Sequence, residues 1–436
     1  MPSSTSFNRR DFLGATAAAA GLWGLSAGSM PAPLTAQPAV PGKPLRIAAI
    51  NSVYWLRSHA YHICGRMIQG YTWDGVHHQP DVQLVRMYNH QQPKNDIGPL
   101  ICQQHGIELC DSVAQALGGP NGLDVDAVLI IIEHGDYPLN DYGQVLYPRY
   151  EMFEQVVEVF KKAGRSVPVF VDKHLSYDHQ LATKMVQTSR DMGFGLMAGS
   201  SLPVTWRIPE VEAPLNAPFT EGLVTFGFDR GSPEIYLFHA LESLQVFMER
   251  RTGGETGVKR LQTLRGAAVW QAADAGRWSW SLMEAALKHC QSLNVGSIRD
   301  NVQDPLAVLI EYHDGTKGTV INLIEQTSEF GFAGTLAGQP DPVACCLYLP
   351  IPPAANFFNP LCHHIERFFQ SGKPDYPVER TWLTSTLCDF AMRSLHDQQQ
   401  PVTNAALDIR YQPPVSSGFA RGSWTNQLRE RGVSTP

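Results

Sequence analysis

Residues 126–132 read DAVLIII, a run whose side chains are apolar at successive positions with no polar alternation. A strand of that kind is buried on both faces, as in a parallel sheet covered by helices. Upstream, LRIAAI (45–50) and VQLVRMY (82–88) read as further strands. The helical patterns SHAYHICGRMIQGY (58–71) and DSVAQALGG (111–119) follow them, the second opened by Asp111 and closed by Gly118 and Gly119. Downstream come the amphipathic helix YEMFEQVVEVFKKAG (150–164), the buried strand SVPVFVDK (166–173), the helix HQLATKMVQTSRDMG (179–193) and a last strand, GLMAGSSLPV (195–204). This alternation predicts an α/β fold with an N-terminal, Rossmann-like, doubly wound parallel sheet over residues 45–204.

Beyond residue 204 the pattern changes. TEGLVTFGF, VKRLQTLRG, PLAVLIEYHDGTKGTVINLIE, GFAGTLAG and ACCLYLPI read as antiparallel strands, with a hairpin turn at Asp314-Gly315. Long helical patterns separate and follow them, so residues 205–410 form a C-terminal α+β domain with an open, mostly antiparallel sheet. Residues 411–436 are polar and rich in Pro and Gly, a peripheral C-terminal extension.

Length and composition suit this plan. The 436 residues exceed the roughly 100–200 typical of one domain, and 43% hydrophobic content supplies a sizeable core. A net charge of −7 with no basic run argues against nucleic acid or an anionic membrane surface as partner. At the N-terminus, Arg9-Arg10 precedes Phe12-Leu13, a mild Ala/Gly-rich apolar run and a Pro/Ala stretch. Residues 1–40 therefore read as a twin-arginine signal and linker, removed from a periplasmic or extracellular protein with no membrane insertion after cleavage. The apolar run is short against the roughly 20 residues that span a bilayer. Eight scattered cysteines without a CxxC pair are expected to be reduced and buried, since this export route carries folded chains.

Several stretches resemble the glucose-fructose oxidoreductase / inositol dehydrogenase (Gfo/Idh/MocA) family. VDAVLIIIEHG resembles the strand after which family members contact cofactor and substrate. VPVFVDKHLS resembles the strand ending in Glu-Lys-Pro, here Asp172-Lys173-His174, and EIYLFHALESL the helix carrying the catalytic histidine, here His239. His59 stands eight residues after Asn51, where the family often has a histidine, and the closing helices after Asn359 also match. The resemblance runs from Leu45 to about Arg410. It implies a nicotinamide enzyme, using NAD or NADP, that moves a hydride to or from a sugar, glycoside or cyclitol, and by analogy a homo-oligomer. Lys173 would polarise or deprotonate the reacting hydroxyl and His239 would act as acid/base partner, with Asp172 and His174 beside them.

The phosphate loop departs from that pattern. Asn51, Val53 and Leu56 stand where three glycines would permit the turn, the approach of pyrophosphate and helix–strand packing. Asn89 stands where a carboxylate would hold the adenosine ribose, and Ile235 replaces the Asp four residues before His239. A loop of this composition is expected not to cradle phosphate in the usual way.

Polar residues gather where strand ends meet the cleft: Glu133, His134 and Asp136 after one strand, Asp172, Lys173 and His174 after the next, with Tyr137 and Arg207 as further substrate contacts. Such a set suits a divalent metal bound by oxygen and nitrogen, an acid/base pair or a hydrogen-bonded sugar cleft, and no ligand spacing selects among them. Three functions follow: an exported sugar- or cyclitol-acting oxidoreductase, a nicotinamide-independent acid/base lyase or hydrolase that is metal-assisted or not, and a non-catalytic sugar-binding protein.

Overall fold

The computed structural model describes residues 43–119, 122–228, 231–350 and 355–422. The twin-arginine stretch lies outside the described residues, as does the end of the C-terminal extension. No helix among the described residues is long and apolar enough to cross a membrane.

The first half alternates as its apolar runs require: β1 (Leu45–Asn51), α1 (His59–Gln69), the hairpin β2 (Tyr71–Trp73) and β3 (Val76–His78), then β4 (Val82–Asn89). α2 (Gly98–His105), β5 (Glu108–Cys110), α3 (Val113–Leu117) and β6 (Ala127–Ile131) follow. α4 (Arg149–Ala163), β7 (Val169–Asp172), α5 (His179–Met192) and β8 (Leu196–Gly199) complete it. Six strands pair in parallel in the order β5-β4-β1-β6-β7-β8, and every residue of β6 is buried. The chain reverses its direction of winding between β1 and β6, where open α/β sheets place ligands at the strands' carboxyl ends.

Details differ from the sequence reading. Ser112, not Asp111, caps α3 by accepting the Gln115 N–H, and the helix spans only five residues. The run ending in Ser200–Val204 leaves the sheet at Gly199 and turns through a short 3-10 helix. The β2–β3 hairpin, α2 and β5 are too short and too polar to show a period.

The second half contains β9 (Trp206–Ile208), β10 (Phe219–Phe226), α6 (Glu234–Met248), β11 (Val258–Arg265), α7 (Ala267–Asp274), α8 (Trp280–Leu287) and α9 (Ile298–Asn301). Then come β12 (Leu306–Tyr312), β13 (Lys317–Asn322), β14 (Phe330–Leu336), β15 (Val343–Tyr348), α10 (Phe358–Ser371) and α11 (Val378–His396). The seven strands run β11-β12-β13-β10-β14-β15-β9, antiparallel except for the β10–β13 pair, with the Asp314-Gly315 hairpin between β12 and β13 as expected. α6 and α11 cover one face of this sheet. α7 and α8 cover the middle of the other, over Leu223, Ala307, Ile321 and Ala333. Trp278 is buried among these helices.

α10 packs not on this sheet but into the core beneath β1 and β4. α11 touches α5 and β8 on one side and α6 and β11 on the other, joining the two halves. The extension is not peripheral where it is described: Phe419 is buried, and Ala420 N–H donates to the Val204 carbonyl at 2.8 Å. All eight cysteines are buried and form no disulfide.

The junction is held by a buried ion pair. Arg380 of α11 donates from Nε and Nη2 to the two oxygens of Glu249, at 2.9 and 2.6 Å, and the Tyr411 hydroxyl donates to the same carboxylate at 2.8 Å. Removing one partner strands the other charge in the core. Arg380→Ala is therefore expected to lower unfolding free energy by about 3–5 kcal/mol in chemical denaturation. Arg380→Met with Glu249→Leu should recover most of that loss; a double variant no more stable than the single one would contradict this account.

Candidate active site

A cavity of about 520 Å³ opens beyond the carboxyl ends of β1, β6 and β7, between them and α6. Lys173, Glu133, His134, His59 and His239 all line it. Three of these five, Glu133, His134 and Lys173, follow strand ends that the apolar runs deliver to one edge of the sheet; His59 opens α1, and His239 comes from the middle of α6.

Glu133 is the hub. Its Oε1 accepts from Lys173 Nζ at 2.6 Å and its Oε2 from Arg149 Nη2 at 2.6 Å, all three groups being buried. Burial works against the charge on Glu133, yet Lys173 and Arg149 together hold its carboxyl well below the usual range. Lys173 has φ +62° and His134 φ +70°, a left-handed backbone that costs an L-residue about 1–2 kcal/mol. These strained turns swing both side chains off the strand direction to the cavity wall.

Two histidines are backed by carboxylates. His59 Nδ1 lies 2.6 Å from Oδ2 of Asp172, which is wholly buried and so reaches the cavity only through His59. His239 Nδ1 lies 2.9 Å from Ser200 Oγ, which in turn donates to Glu242 Oε2 at 2.6 Å. Burial pushes Glu242 up to about 7. Burial, then Lys173 and His59, press His239 well below the ordinary imidazole range, so it is neutral. With Nδ1–H given to Ser200, its Nε2 keeps the lone pair that can accept a proton. His134 is likewise pushed down to about 4 by burial.

The other expected site residues are placed differently. His174 is buried beneath the cavity, its Nε2 accepting from Arg149 Nη1 at 3.0 Å, and it positions Arg149 instead of meeting substrate. Tyr137 lies outside the cavity wall, stacked on His90 with its hydroxyl 2.8 Å from Nδ1; Tyr147 and Tyr236 line the wall instead. Arg207 is a core strut, its guanidinium 4.3 Å from the Phe247 ring and 4.2 Å from that of Phe419, donating to the Val211 carbonyl and to Ser417. It tethers the C-terminal extension and does not line this cavity. Glu133 spends both oxygens on cations, Lys173 and Arg149. Groups of three donors close enough for an ion lie elsewhere among the described residues.

The phosphate loop is closed by its own chain. Asn51 and Val53 are buried, Asn51 Nδ2 donates to Asn89 Oδ1 at 3.1 Å, and Leu56 is 62% exposed. The Tyr54 N–H, an amide of the loop, donates to Asp96 Oδ2 at 2.7 Å. Asp96 Oδ1 takes the Gly98 N–H and Asn89 Nδ2, and a Cβ at Gly98 would lie 2.2 Å from that Nδ2. Ser52 N–H goes to the Ile131 carbonyl, and Ser58 caps α1 by accepting the Tyr61 N–H. A pyrophosphate here would meet committed amides and a carboxylate of its own sign. The residues present do not fit a dinucleotide in the usual Rossmann pose.

The fold is shared with solved dehydrogenases of the Gfo/Idh/MocA type over most of the chain. GenD2 of gentamicin A biosynthesis, solved with NAD, is 12% identical with a TM-score of 0.54, covering 85% of this chain and 99% of its own. A probable dehydrogenase from Thermotoga maritima is 14% identical, with a TM-score of 0.51 and coverage of 84% and 100%. Myo-inositol 2-dehydrogenase from Lactobacillus plantarum is 13% identical, with a TM-score of 0.50 and coverage of 83% and 99%. No protein-family model and no curated protein matches the sequence.

Beside this site, Glu234 opens α6 wholly buried, its Oε1 accepting the Val145 N–H and its Oε2 without a hydrogen-bond partner. Burial raises its carboxyl from 4.5 to about 8. A folded-state pKa above the unfolded value means that its contribution to stability is whole below pH 4.5 and is lost as pH rises through 8. The melting temperature of the wild type is therefore expected to fall relative to Glu234→Gln across that window and to run parallel above it. A pH-independent difference would contradict this reading.

Proposed function

We propose that this chain is an exported enzyme that acts on a sugar, glycoside or cyclitol by acid/base transfer at Lys173, His239 and His59, with no nicotinamide seated on its phosphate loop. One observation carries the reading: two carboxylate-backed histidines flank an ion-paired lysine in a single cavity. Arg9-Arg10 and the mild apolar run behind them support export.

The roles follow from the geometry. His239, neutral and tethered through Ser200 to Glu242, takes a proton from the substrate at Nε2. Ser200 and Glu242 are positioning residues that fix its tautomer and offset the charge it gains. Lys173, ion-paired with Glu133, stabilises negative charge developing on a substrate oxygen. His59, oriented by Asp172, serves the opposite end of the transfer. The aromatic wall, Tyr147 and Tyr236 among it, suits the apolar faces of a sugar ring.

A second reading has one observation in its favour. Lys173 and His239 occupy the positions that the Gfo/Idh/MocA resemblance gives to a hydride-transfer pair, and the fold is that of dehydrogenases. It requires nicotinamide to enter by a route other than the closed loop.

Both are tested by incubating the mature protein with a panel of glycosides, oxidised glycosides and cyclitols, with and without NAD(P), and following products by NMR. Turnover without nucleotide is expected. It should fall about 10²–10⁴-fold in Lys173→Ala and His239→Ala, each assayed at a temperature where the variant is fully folded. Turnover only with NAD(P) would overturn the proposal in favour of hydride transfer, and saturable binding with no product would make the chain a binding protein.

A further inference from the structure

We infer that His78, His363 and Glu366 form a separate cation site, selective for zinc-like divalent ions, that clamps the β2–β3 hairpin to α10. It is independent of the proposed reaction. One ligand atom from each residue lies within 4.8 Å of the other two. Two imidazoles and one carboxylate are the donor set of borderline metals such as Zn²⁺, and with three protein ligands a fourth position is left for water. The residues come from two rigid elements: His78 ends β3, while His363 and Glu366 stand three apart on one face of α10.

Two of the three ligands, Glu366 and His363, are already oriented by outer partners, as metal ligands require. Glu366 Oε1 accepts the Asp81 N–H at 2.9 Å, which turns Oε2 toward the histidines. The Tyr71 hydroxyl donates to that Oε2 at 3.2 Å. Trp73 stacks on His363 with ring centroids 4.2 Å apart and planes 12° from parallel, which fixes the imidazole.

His78 Nε2 and Glu366 Oε2 are 2.6 Å apart, a direct hydrogen bond. Tetrahedral zinc with bonds of about 2.0–2.1 Å would hold them about 3.3 Å apart. The half-exposed His78 side chain can yield that difference. His364 is no ligand, since Asp375 and the Gly418 carbonyl take both its nitrogens. The other three-donor group, Asp178, His179 and Asp389, already holds a cation: Arg393 pairs with both carboxylates, at 3.3 and 2.8 Å.

The test uses the full, tag-free mature chain, stripped with chelator and titrated with ZnCl₂ by calorimetry at neutral pH, with melting curves in parallel. One equivalent should bind and raise the melting temperature. His363→Ala and Glu366→Gln should weaken binding at least about tenfold while melting like wild type in chelator. His78→Ala, at a half-exposed position, gives the same readout should a helix variant fail to fold. No binding by wild type, or binding undiminished in these variants, would overturn the site.

Discussion

The arrangement depends on one buried carboxylate. Glu133, at the end of β6, neutralises Lys173 from β7 and Arg149 at the start of α4, and each contact is 2.6 Å long. Without it two cations would share a dry pocket, a cost of several kcal/mol per ion. With it, Lys173 is ion-paired at the cavity wall, and Arg149 is steady enough to hold His174. The Ser52 hydroxyl donates to the Glu133 carbonyl at 2.6 Å, which ties the hub to the phosphate loop as well. The left-handed backbone at Lys173 and His134 is the conformational cost of bringing both side chains to one wall.

The same edge of the sheet shows what the scaffold no longer offers. In a dinucleotide-binding turn, free amides at a helix start attract phosphate. Here Asp96 supplies the negative charge from within the chain, and Asn51 and Asn89 bond to each other across the space between β1 and β4. The neighbouring cavity keeps polar side chains set in an aromatic wall, with His59 backed by Asp172 and His239 by Ser200–Glu242. A fold shared with NAD-dependent enzymes is thus combined with a nucleotide seat filled by its own residues, and fold alone does not name the chemistry.

Much of this was legible in the sequence. The unbroken apolar runs ending at Ile132 and Val171 placed two parallel strands, and the polar residues directly after them are those that line the cavity. His239 stood out as polar on an apolar helix, and the missing glycines marked the altered loop. What was not legible is contact across long separations. Ser200 and Glu242 are 42 residues apart, so nothing local shows that they form one chain with His239. Arg149 and Glu133 are 16 residues apart, and nothing local shows that they pair. Arg207 was misread because its partner ring, Phe419, belongs to a tail whose composition resembles a loose extension. Tyr137 was misread because its hydroxyl is spent on His90. The second sheet is mostly antiparallel as expected, and no alternation pattern distinguishes which pair, β10 with β13, runs parallel.

The central claim is that this chain keeps its cleft and closes its nucleotide seat. The most direct measurement is to purify the folded protein from its native host, denature it, and identify the released small molecules by mass spectrometry. The account predicts that neither NAD nor NADP is released. Near-stoichiometric NAD or NADP would contradict it, because a bound dinucleotide would have to displace the Asp96 contacts that close the loop.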